Sequence, residues 1–406
     1  MRTDLFLALR FLREGRSQTL LIGVGVTLGS AVVIFLTGLL AGLETSLIER
    51  TLGSQAHVVV RPVRDEARPL WRAGPGEVVL RQRVEAAQRL RSIVGWQSAV
   101  RRIERLDGVT AVSPLASGPA TAIRGTASRS VVLMGAHPER FDRVIPLRRL
   151  IVEGTFELAG DDALLGVELA EDLGVGVGDL VRLRPASGAD QSFRVRGLFD
   201  IGNRDVNRRW VVVPLRAGQT LLGLSGGVSD VHVRVADVFD ANRVADRIAA
   251  ETGLVADSWI RTNEQLMVGL SGQRSSGNMI TLFVVIAVAL GISSVLVVSV
   301  VQKSPEIGIL RAAGASRAFV TRVFLWQGAL LGLLGALGGC AAGALLGRVF
   351  EGLAVNADGT PKFPVELPPM LFVATVMGSI AVGLVAAVWP ARRAAKLDPV
   401  VAIRSA

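Results

Sequence analysis

The sequence predicts an integral membrane protein with four transmembrane α-helices and a large α+β extracytoplasmic domain inserted between the first and second helices. Half of the 406 residues are hydrophobic and the mean hydropathy is +0.46, which is too apolar for a water-soluble protein. Charged residues nevertheless make up 20% of the chain, too many for a protein that lies wholly in a membrane. Four apolar runs reach the roughly 20 residues that a helix needs to cross a bilayer, and a long polar stretch separates the first two.

The N-terminal part combines a basic segment with the first apolar run. Residues 1–16 are amphipathic and basic, whereas residues 17–43 contain no charge. The run exceeds the roughly 7–15 apolar residues of a signal peptide, so we interpret it as a retained transmembrane helix. Its small residues have the spacing that favours close helix packing. The glycines four residues apart are Gly25 and Gly29, and Gly38 and Gly42.

Residues 44–278 are predicted to form the water-exposed α+β domain, and their number is sufficient for a core of their own. Short strand-like runs bounded by turn residues alternate with helical patterns. An Arg-rich stretch at 62–95, with a predicted helix at Val84–Ile93, is interpreted as a solvated insertion. A helix at 259–273 is predicted to run without a break into the second apolar run. Strands are predicted at 57–61, 109–115, 120–124, 130–136, 180–183, 193–199, 210–213, 231–235 and 254–258, and helices at 97–106, 168–173, 214–222 and 238–250.

The C-terminal part alternates three further transmembrane helices with short connections. The helices are predicted at 279–301, 323–349 and 370–390, with a loop at 302–322, a short connection at 350–369 and a tail at 391–406. The third apolar run carries glycines at steps of three and four residues, which favours a seam between helices. These glycines are Gly328, Gly332, Gly335, Gly339, Gly343 and Gly347.

The loop at 302–322 is predicted to contain a short amphipathic helix. Pro305 falls in its first turn, where the missing N–H costs no hydrogen bond, and Glu306 complements the positive end of the helix dipole. Gly314 can adopt the left-handed conformation that ends a helix. Two interpretations remain open at this point: a helix that rests on lipid headgroups, or a docking helix for a soluble partner.

The distribution of positive charge predicts the orientation of the chain. The N-terminal segment, the 302–322 loop and the C-terminal tail carry four Lys or Arg residues each, whereas the 350–369 connection carries one, Lys362. Because positive charge favours the cytoplasmic side, both termini and the 302–322 loop are expected in the cytoplasm of an inner-membrane protein. The formal net charge of +10 is explained by the same distribution, so we do not expect nucleic acid as a partner.

The sequence lacks the motifs of the common catalytic and nucleotide-binding sites. It contains no Gly-x-x-x-x-Gly-Lys-Ser/Thr loop and no His-Glu-x-x-His. The single cysteine, Cys340, lies in an apolar run and the three histidines are far apart, so neither an intrachain disulfide nor a metal site is predicted. The pair Asp161-Asp162 is more typical of a turn than of acid/base catalysis. We therefore expect no catalytic residue and no bound cofactor in this chain.

Several segments resemble a known family of membrane proteins. Residues 306–316, Glu-Ile-Gly-Ile-Leu-Arg-Ala-Ala-Gly-Ala-Ser, are similar to the cytoplasmic signature of the MacB/FtsX superfamily of ABC transporter permeases, and residues 390–404 resemble its terminal motif. Segments 165–179, 193–199 and 210–215 resemble the periplasmic core domain of MacB type. The overall pattern is most similar to that of lipoprotein-releasing, Lol-type permeases.

The resemblance implies a permease subunit that works by mechanical coupling. Its partners would be a cytoplasmic ATPase that binds ATP and Mg²⁺, a second permease chain (identical or different), membrane lipid, and a periplasmic adaptor or chaperone. Four helices enclose little on their own, which also favours a dimer. The residues that the resemblance implies in ATPase coupling are Glu306, Ile307, Ile309, Leu310, Arg311, Gly314, Ala315 and Ser316, with Glu306 and Arg311 making electrostatic contacts and the apolar side chains serving as anchors.

Two functions follow from the resemblance. The first is ATP-driven extraction or export of an amphiphile, such as a lipoprotein, a lipid or a hydrophobic peptide, and the large outer domain favours it. The second is FtsX-like signalling, in which the permease regulates a periplasmic partner such as a cell-wall hydrolase without moving cargo. A third hypothesis, an enzyme anchored in the membrane, has no set of residues to support it.

Overall fold

The computed structural model describes residues 2–53, 55–63, 90–186, 190–353, 355, 361 and 363–397. These residues form two compact units, Met1–Leu47 with Val268–Ala406 and Ile48–Met267, which we call the membrane unit and the sheet unit. Residues 84–89 of the predicted helix at Val84–Ile93 lie outside the described residues. Its last residues are not helical, and Ile93 forms an isolated β-bridge with Val228.

The helices and strands, numbered in chain order, have the following bounds. The helices are α1 Arg2–Glu14, α2 Arg16–Gly53, α3 Trp96–Ile103, α4 Pro138–Val144, α5 Val167–Leu173, α6 Arg204–Arg209, α7 Leu215–Leu221, α8 Ala241–Thr252, α9 Trp259–Thr262, α10 Glu264–Gln302, α11 Ser304–Ala312, α12 Arg317–Leu353 and α13 Pro369–Ala395. The strands are β1 Val58–Arg61, β2 Val109–Arg124, β3 Ala127–Ala136, β4 Ile151–Gly154, β5 Asp162–Gly166, β6 Leu180–Pro185, β7 Gln191–Phe199, β8 Trp210–Pro214, β9 Asp230–Val235 and β10 Val255–Ser258.

The sheet unit is built on a mixed sheet of ten described strands. Their order is β10-β1-β9-β2-β3-β8-β5-β7-β4, and β6 pairs with both β2 and β7. The pairs β3–β8 and β5–β7 are parallel and the other pairs are antiparallel. Buried positions alternate with more exposed ones along β6 and β9, which is the pattern of a strand with one face in a core. Phe141, Leu164 and Phe199 lie fully buried in one such core.

One long strand replaces two predicted short ones. The predicted strands at 109–115 and 120–124 are parts of β2, which continues through Gly118 and Pro119 and pairs with β3 along Leu115–Arg124. Gly118 therefore marks a close approach within a strand and not a turn. A Cβ atom at this position would meet the side chain of Leu222 at 2.8 Å.

The predicted continuous helix at 259–273 is broken at Asn263. Helix α9 ends at Thr262 and α10 begins at Glu264. The side-chain amide of Asn263 donates to the carbonyl of Trp259 at 2.8 Å, and the same carbonyl accepts the backbone N–H of Asn263 at 2.9 Å. Asparagine often bonds to nearby backbone in this way and thereby interrupts helices.

Four helices of the described chain are long and apolar enough to cross a membrane. They are Gln18–Gly53, Glu264–Gln302, Arg317–Leu353 and Pro369–Ala395. The first two, with 36 and 39 residues, are about 54 and 58 Å long at 1.5 Å per residue, well beyond the ~30 Å apolar core of a bilayer. Within the membrane unit they are joined by an ion pair between Glu44 on α2 and Arg274 on α10.

The glycines of α12 pack against two different helices. Gly328 faces Gly383 of α13 so closely that a Cβ atom on either residue would meet the carbonyl oxygen of the other. Gly332 faces the backbone of Ser379 on the same helix. The next glycines of α12 pack against α2. Helix α12 therefore lies between α13 and α2. On that side, Gly335 meets Val26, Gly339 meets Ser30 and Gly343 meets Ile34.

The four glycines predicted on α2 have different environments. Gly29 packs against α10, where a Cβ atom would lie 2.6 Å from Val288. Gly25 does not make the close packing that its spacing predicted, because no atom of another described segment lies within 4 Å of its Cβ position. Gly38 and Gly42 accommodate an extended segment and not a helix. The N–H of Glu366 donates to the carbonyl of Gly38 at 3.0 Å, and Gly42 lies against the backbone of Pro364.

Candidate functional site

Helix α11 is the short helix predicted in the loop between the second and third long helices. Pro305 lies in its first turn, and Gly314 has a φ of +96°, the left-handed conformation that ends a helix. The N–H of Ala315 donates to the carbonyl of Leu310 at 3.0 Å and thereby closes the last turn. The local conformation is therefore the predicted one, and it follows from a proline and a glycine at the two ends.

Ser316 precedes the next long helix and caps it. Its hydroxyl accepts a hydrogen bond from the N–H of Phe319 at 3.2 Å, which satisfies one of the free donors at the start of α12. Only Ala313, Gly314 and Ala315 lie between the end of α11 and this cap. The turn between α11 and α12 is therefore short and closed by hydrogen bonds at both ends.

The inner face of α11 packs within the membrane unit. Ile307 is only 1% exposed and belongs to a core cluster with Val320 and Phe324 of α12 and Ala391 and Ala394 of α13. The expectation that Ile307 is an anchor for a partner is therefore wrong, because its side chain is already buried inside this chain. Its packing connects α11 to the last two long helices.

Arg311 is also directed toward its own chain. Its guanidinium donates to the carbonyl of Ala395 at 3.2 Å and to the carbonyl of Leu397. These carbonyls lie at the C-terminal end of α13, where the helix dipole favours a cation. The prediction of a direct electrostatic contact between Arg311 and a partner is thereby replaced by an intrachain contact that holds α11 to the end of α13.

The opposite side of α11 is exposed in this chain, and we call it the α11 outer face. It consists of Glu306, Ile309, Ala312, Ala313 and Gly314, all of them exposed. Ile309 is 59% exposed, so much of its apolar side chain is accessible. Leu310 and Ala315 are half-buried at the edge of this face. The α11 outer face therefore combines one acidic group with a small apolar surface.

Lys303 forms a contact that the sequence analysis did not predict. Its ammonium group donates to Glu14 Oε2 at 2.5 Å and to Glu306 Oε1 at 2.7 Å, and it lies 5.5 Å from the centre of the Phe11 ring. The hydrogen bond to Glu14, followed by the one to Glu306, raises the pKa of Lys303. Lys303 and Glu306 are neighbours in sequence, but Glu14 lies far away in the chain, so no local pattern could indicate this contact.

The N-terminal helix α1 is packed against the start of α12. Ala8 and Phe11 are buried with Val323 in a small apolar cluster. Asp4, which is nearly fully buried, forms an ion pair with Arg322 at 3.0 Å. The basic amphipathic segment of the sequence thus has an apolar face that packs on a long helix.

Two family models match the chain. The FtsX-like permease C-terminal domain matches residues 278–399, and the MacB-like periplasmic core domain matches residues 19–251. The second match covers more than half of the chain and includes most of the sheet unit, whereas the first includes α11 with the helices on both sides of it. The chain is therefore an ABC transporter permease.

Proteins with similar sequences place it within that class. The lipoprotein-releasing system transmembrane protein LolC of Xylella fastidiosa is 26% identical over 98% of both chains. The corresponding protein LolE of Haemophilus influenzae is 23% identical, again over 98% of both chains. A macrolide export ATP-binding/permease protein MacB of Paracoccus denitrificans is 25% identical over 98% of this chain and 58% of its own length. The chain belongs to the MacB/FtsX superfamily, and it is a multi-pass membrane protein.

Proposed function

We propose that this permease couples ATP hydrolysis by a separate cytoplasmic ATPase to movement of its periplasmic domain, and that it thereby extracts or exports an amphiphilic cargo from the inner membrane. The observation that carries the proposal is the division of α11 into two faces. The outer face leaves Ile309 and the carboxylate of Glu306 accessible to a partner, whereas the inner side holds the helix to α12 and α13 through Ile307 and Arg311. A helix with these two faces can transmit a force applied to its outer face to α12 and α13.

The partner ATPase would supply the nucleotide chemistry. ATP and Mg²⁺ are proposed to bind to that partner, and its docking groove would contact the α11 outer face through a pocket for Ile309 and positive charge near Glu306. The LolC and LolE relatives are named transmembrane proteins of a lipoprotein-releasing system, which supports a role of this chain as a membrane subunit. The chain itself is proposed to be a transporter subunit without enzymatic activity.

The two longest helices are proposed to carry the movement to the periplasmic domain. In the sequence, α2 and α10 precede and follow that domain, and both are longer than the apolar core of a bilayer. A helix transmits displacement along its axis when its hydrogen bonds are uninterrupted. The Glu44–Arg274 ion pair and the packing of Gly29 on Val288 would move α2 and α10 together.

The proposed orientation places both termini and α11 in the cytoplasm and the sheet unit in the periplasm. It is supported by the excess of Lys and Arg in the three segments assigned to the cytoplasm. A second permease chain, identical or different, would complete the assembly. A periplasmic adaptor or chaperone is a further proposed partner.

The orientation can be tested with single cysteines. Replacing Cys340 with Ala removes the only native thiol. A membrane-impermeant maleimide applied to cells with an opened outer membrane should then modify Ser225→Cys, an exposed position of the sheet unit, and spare Ser316→Cys. Modification of position 316 with protection of position 225 would overturn the proposed topology.

The cargo and the coupling require a reconstituted system. The permease and its ATPase are placed in vesicles that contain a fluorescent triacylated lipoprotein as the probe, and release into the medium is measured with ATP and with a non-hydrolysable analogue. We expect ATP-dependent release by the wild-type protein and its loss in Ile309→Asp, since the charge opposes docking of an apolar anchor. The matched control Ile309→Leu keeps the apolar surface and should retain release. Equal release by the Ile309→Asp and wild-type proteins would refute docking through this face.

FtsX-like signalling is the second candidate, because the FtsX-like match covers α11 and the long helices after it. It predicts no release of the lipoprotein probe, together with ATP-dependent activation of a cell-wall hydrolase added on the periplasmic side. Release of the probe without any effect on the hydrolase would exclude this candidate.

A further inference from the structure

Lys303 lies at the junction of the second long helix with α11. It is the single residue between α10 and α11, and its backbone continues the hydrogen bonding of both. Its N–H donates to the carbonyl of Ser299 and its carbonyl accepts from the N–H of Ile307, each at 2.9 Å. The junction therefore keeps its backbone hydrogen bonds, and the start of α11 moves with Lys303.

The side chain of Lys303 brings together groups from two other segments. Glu14, at the end of α1, and Glu306, in the first turn of α11, share its ammonium group, and Phe11 lies beside it. Arg10 pairs with the same Glu14 at 2.9 Å. Exposed ion pairs contribute little because water screens them, but the Lys303 side chain is only 17% exposed, so water screens its two ion pairs less than it screens a surface pair.

The Glu14 end of this contact is attached to a third helix. Helix α1 is held on α12 by the Asp4–Arg322 ion pair and by the burial of Phe11 with Val323. The contact through Lys303 therefore connects the start of α11 to the start of α12 by way of α1. This connection is independent of the packing and the hydrogen bonds that hold the remainder of α11.

We infer that Lys303 is a positioning residue that ties α11 to the N-terminal helix, so that a push on α11 moves α10, α1 and α12 together. The inference rests on the proposed function, because it assumes that a partner acts on α11. Without the contact, α11 can still bind a partner through its outer face, but its start is free to tilt away from α1. Loss of the contact would lower the amount of cargo released per ATP and would not weaken binding of the ATPase to α11.

The test compares cargo release with ATP hydrolysis in the reconstituted system. Lys303→Met keeps the length and the packing on Phe11 but removes the charge. We expect ATP hydrolysis to continue while the amount of lipoprotein probe released per ATP falls severalfold. The charge exchange Glu14→Lys with Lys303→Glu, made together with Arg10→Met so that no cation faces position 14, restores a lysine beside two carboxylates and should recover release. Arg10→Met is the matched control, because it removes a charge from the exposed end of the same network and should leave the ratio unchanged.

A second measurement reports the position of α11 directly. Spin labels at Arg13→Cys and Ala312→Cys, two exposed positions, are introduced into the Cys340→Ala protein, and their separation is measured in the full chain in lipid nanodiscs. We expect a narrow distance distribution when Lys303 is present, a broader one after Lys303→Met, and a narrow one again after the charge exchange.

The outcomes separate this inference from the proposed function. An unchanged distance distribution together with an unchanged release ratio in Lys303→Met would overturn the positioning role. Absence of ATP-dependent release by the wild-type protein would instead refute the proposed function, and the spin-label distances would still decide the role of Lys303.

Discussion

The two units of this permease are packed by different means. Ten of the twelve largest fully buried side chains in the described part of the chain belong to the sheet unit, among them Phe141, Phe193 and Phe199. The membrane unit instead brings backbones together at glycines, as at Gly328 and Gly383. Water drives large apolar side chains into a core, whereas lipid does not, so membrane helices gain stability chiefly from close van der Waals contact. Opposite kinds of substitution should therefore be harmful in the two units.

The largest effect is expected from a cavity in the sheet unit. Phe199→Ala removes a fully buried ring from the core and should lower the free energy of unfolding by about 3–5 kcal/mol. Phe239→Ala is the control, since that ring is 58% exposed and its loss leaves no internal cavity. Chemical denaturation of a purified protein in which Trp326 and Trp389 of the membrane unit are replaced by Phe, followed by tryptophan fluorescence, would measure both. Equal losses would contradict the difference in burial.

In the membrane unit, added volume should be harmful. Gly339→Leu places a side chain where Ser30 already lies, and overpacking of this kind costs about 1–3 kcal/mol. Adding Gly335→Leu should increase the loss, because that position faces Val26. Gly291→Leu on α10 is the control, with no heavy atom within 4 Å of its Cβ position. The thermal midpoint of monodisperse protein in detergent would report the difference, and a normal midpoint for the double variant would show that the ladder is not a packing seam.

A smaller effect is expected at the end of α11. Gly314→Ala puts a side chain on a residue with a φ of +96°, which costs roughly 1–2 kcal/mol in the left-handed region. Gly15→Ala is a suitable control, because a Cβ atom there meets nothing closer than 3.7 Å and its φ is not positive. The strain should disturb the turn before α12 and lower ATPase stimulation by the permease. Unchanged stimulation and stability would show that the turn tolerates a different conformation.

The effect that is smallest near neutral pH, because it develops only on acidification, is a dependence of the stability of the sheet unit on pH. Burial lowers the pKa of His232 from 6.5 to about 4, against a smaller opposing effect of Asp230. Because the unfolded chain then binds more protons between these pH values, the stability of the sheet unit should fall as pH decreases from about 6.5 to about 4. Unfolding at a series of pH values should show a weaker dependence in His232→Gln. A residual slope is expected, since burial also lowers the pKa of His57 and His137, and an unaltered slope would refute the role of His232.

Much of the fold could be predicted from local patterns. Apolar length indicates the four long helices, alternation indicates strands such as β9, and Pro305 and Gly314 mark the two ends of the α11 region. These features depend on neighbouring residues alone. The break at Asn263 was missed because the apolar and helical pattern continues on both sides of a residue whose own side chain ends the helix.

The orientation of the candidate site was not predictable in the same way. Ile307 and Ile309 have the same chemistry, and only the packing of α11 on α12 and α13 decides that the first is buried and the second exposed. The spacing of Gly38 and Gly42 likewise indicates a close contact but does not identify the extended segment that makes it. Contacts such as the one between Glu14 and Lys303 join residues far apart in the chain, so they depend on the complete fold.

The contact of Arg311 with the end of α13 has a consequence for mutational tolerance. Its guanidinium binds oxygens that every amino acid carries, so the identity of residue 397 has no influence on the bond itself. The donor side is stricter, because one nitrogen of Arg311, Nη1, donates both bonds, so the side chain must be long enough to bring two N–H donors to this point. The residue at position 397 can therefore change without loss of this bond, whereas Arg311 cannot be replaced by a side chain that lacks such donors.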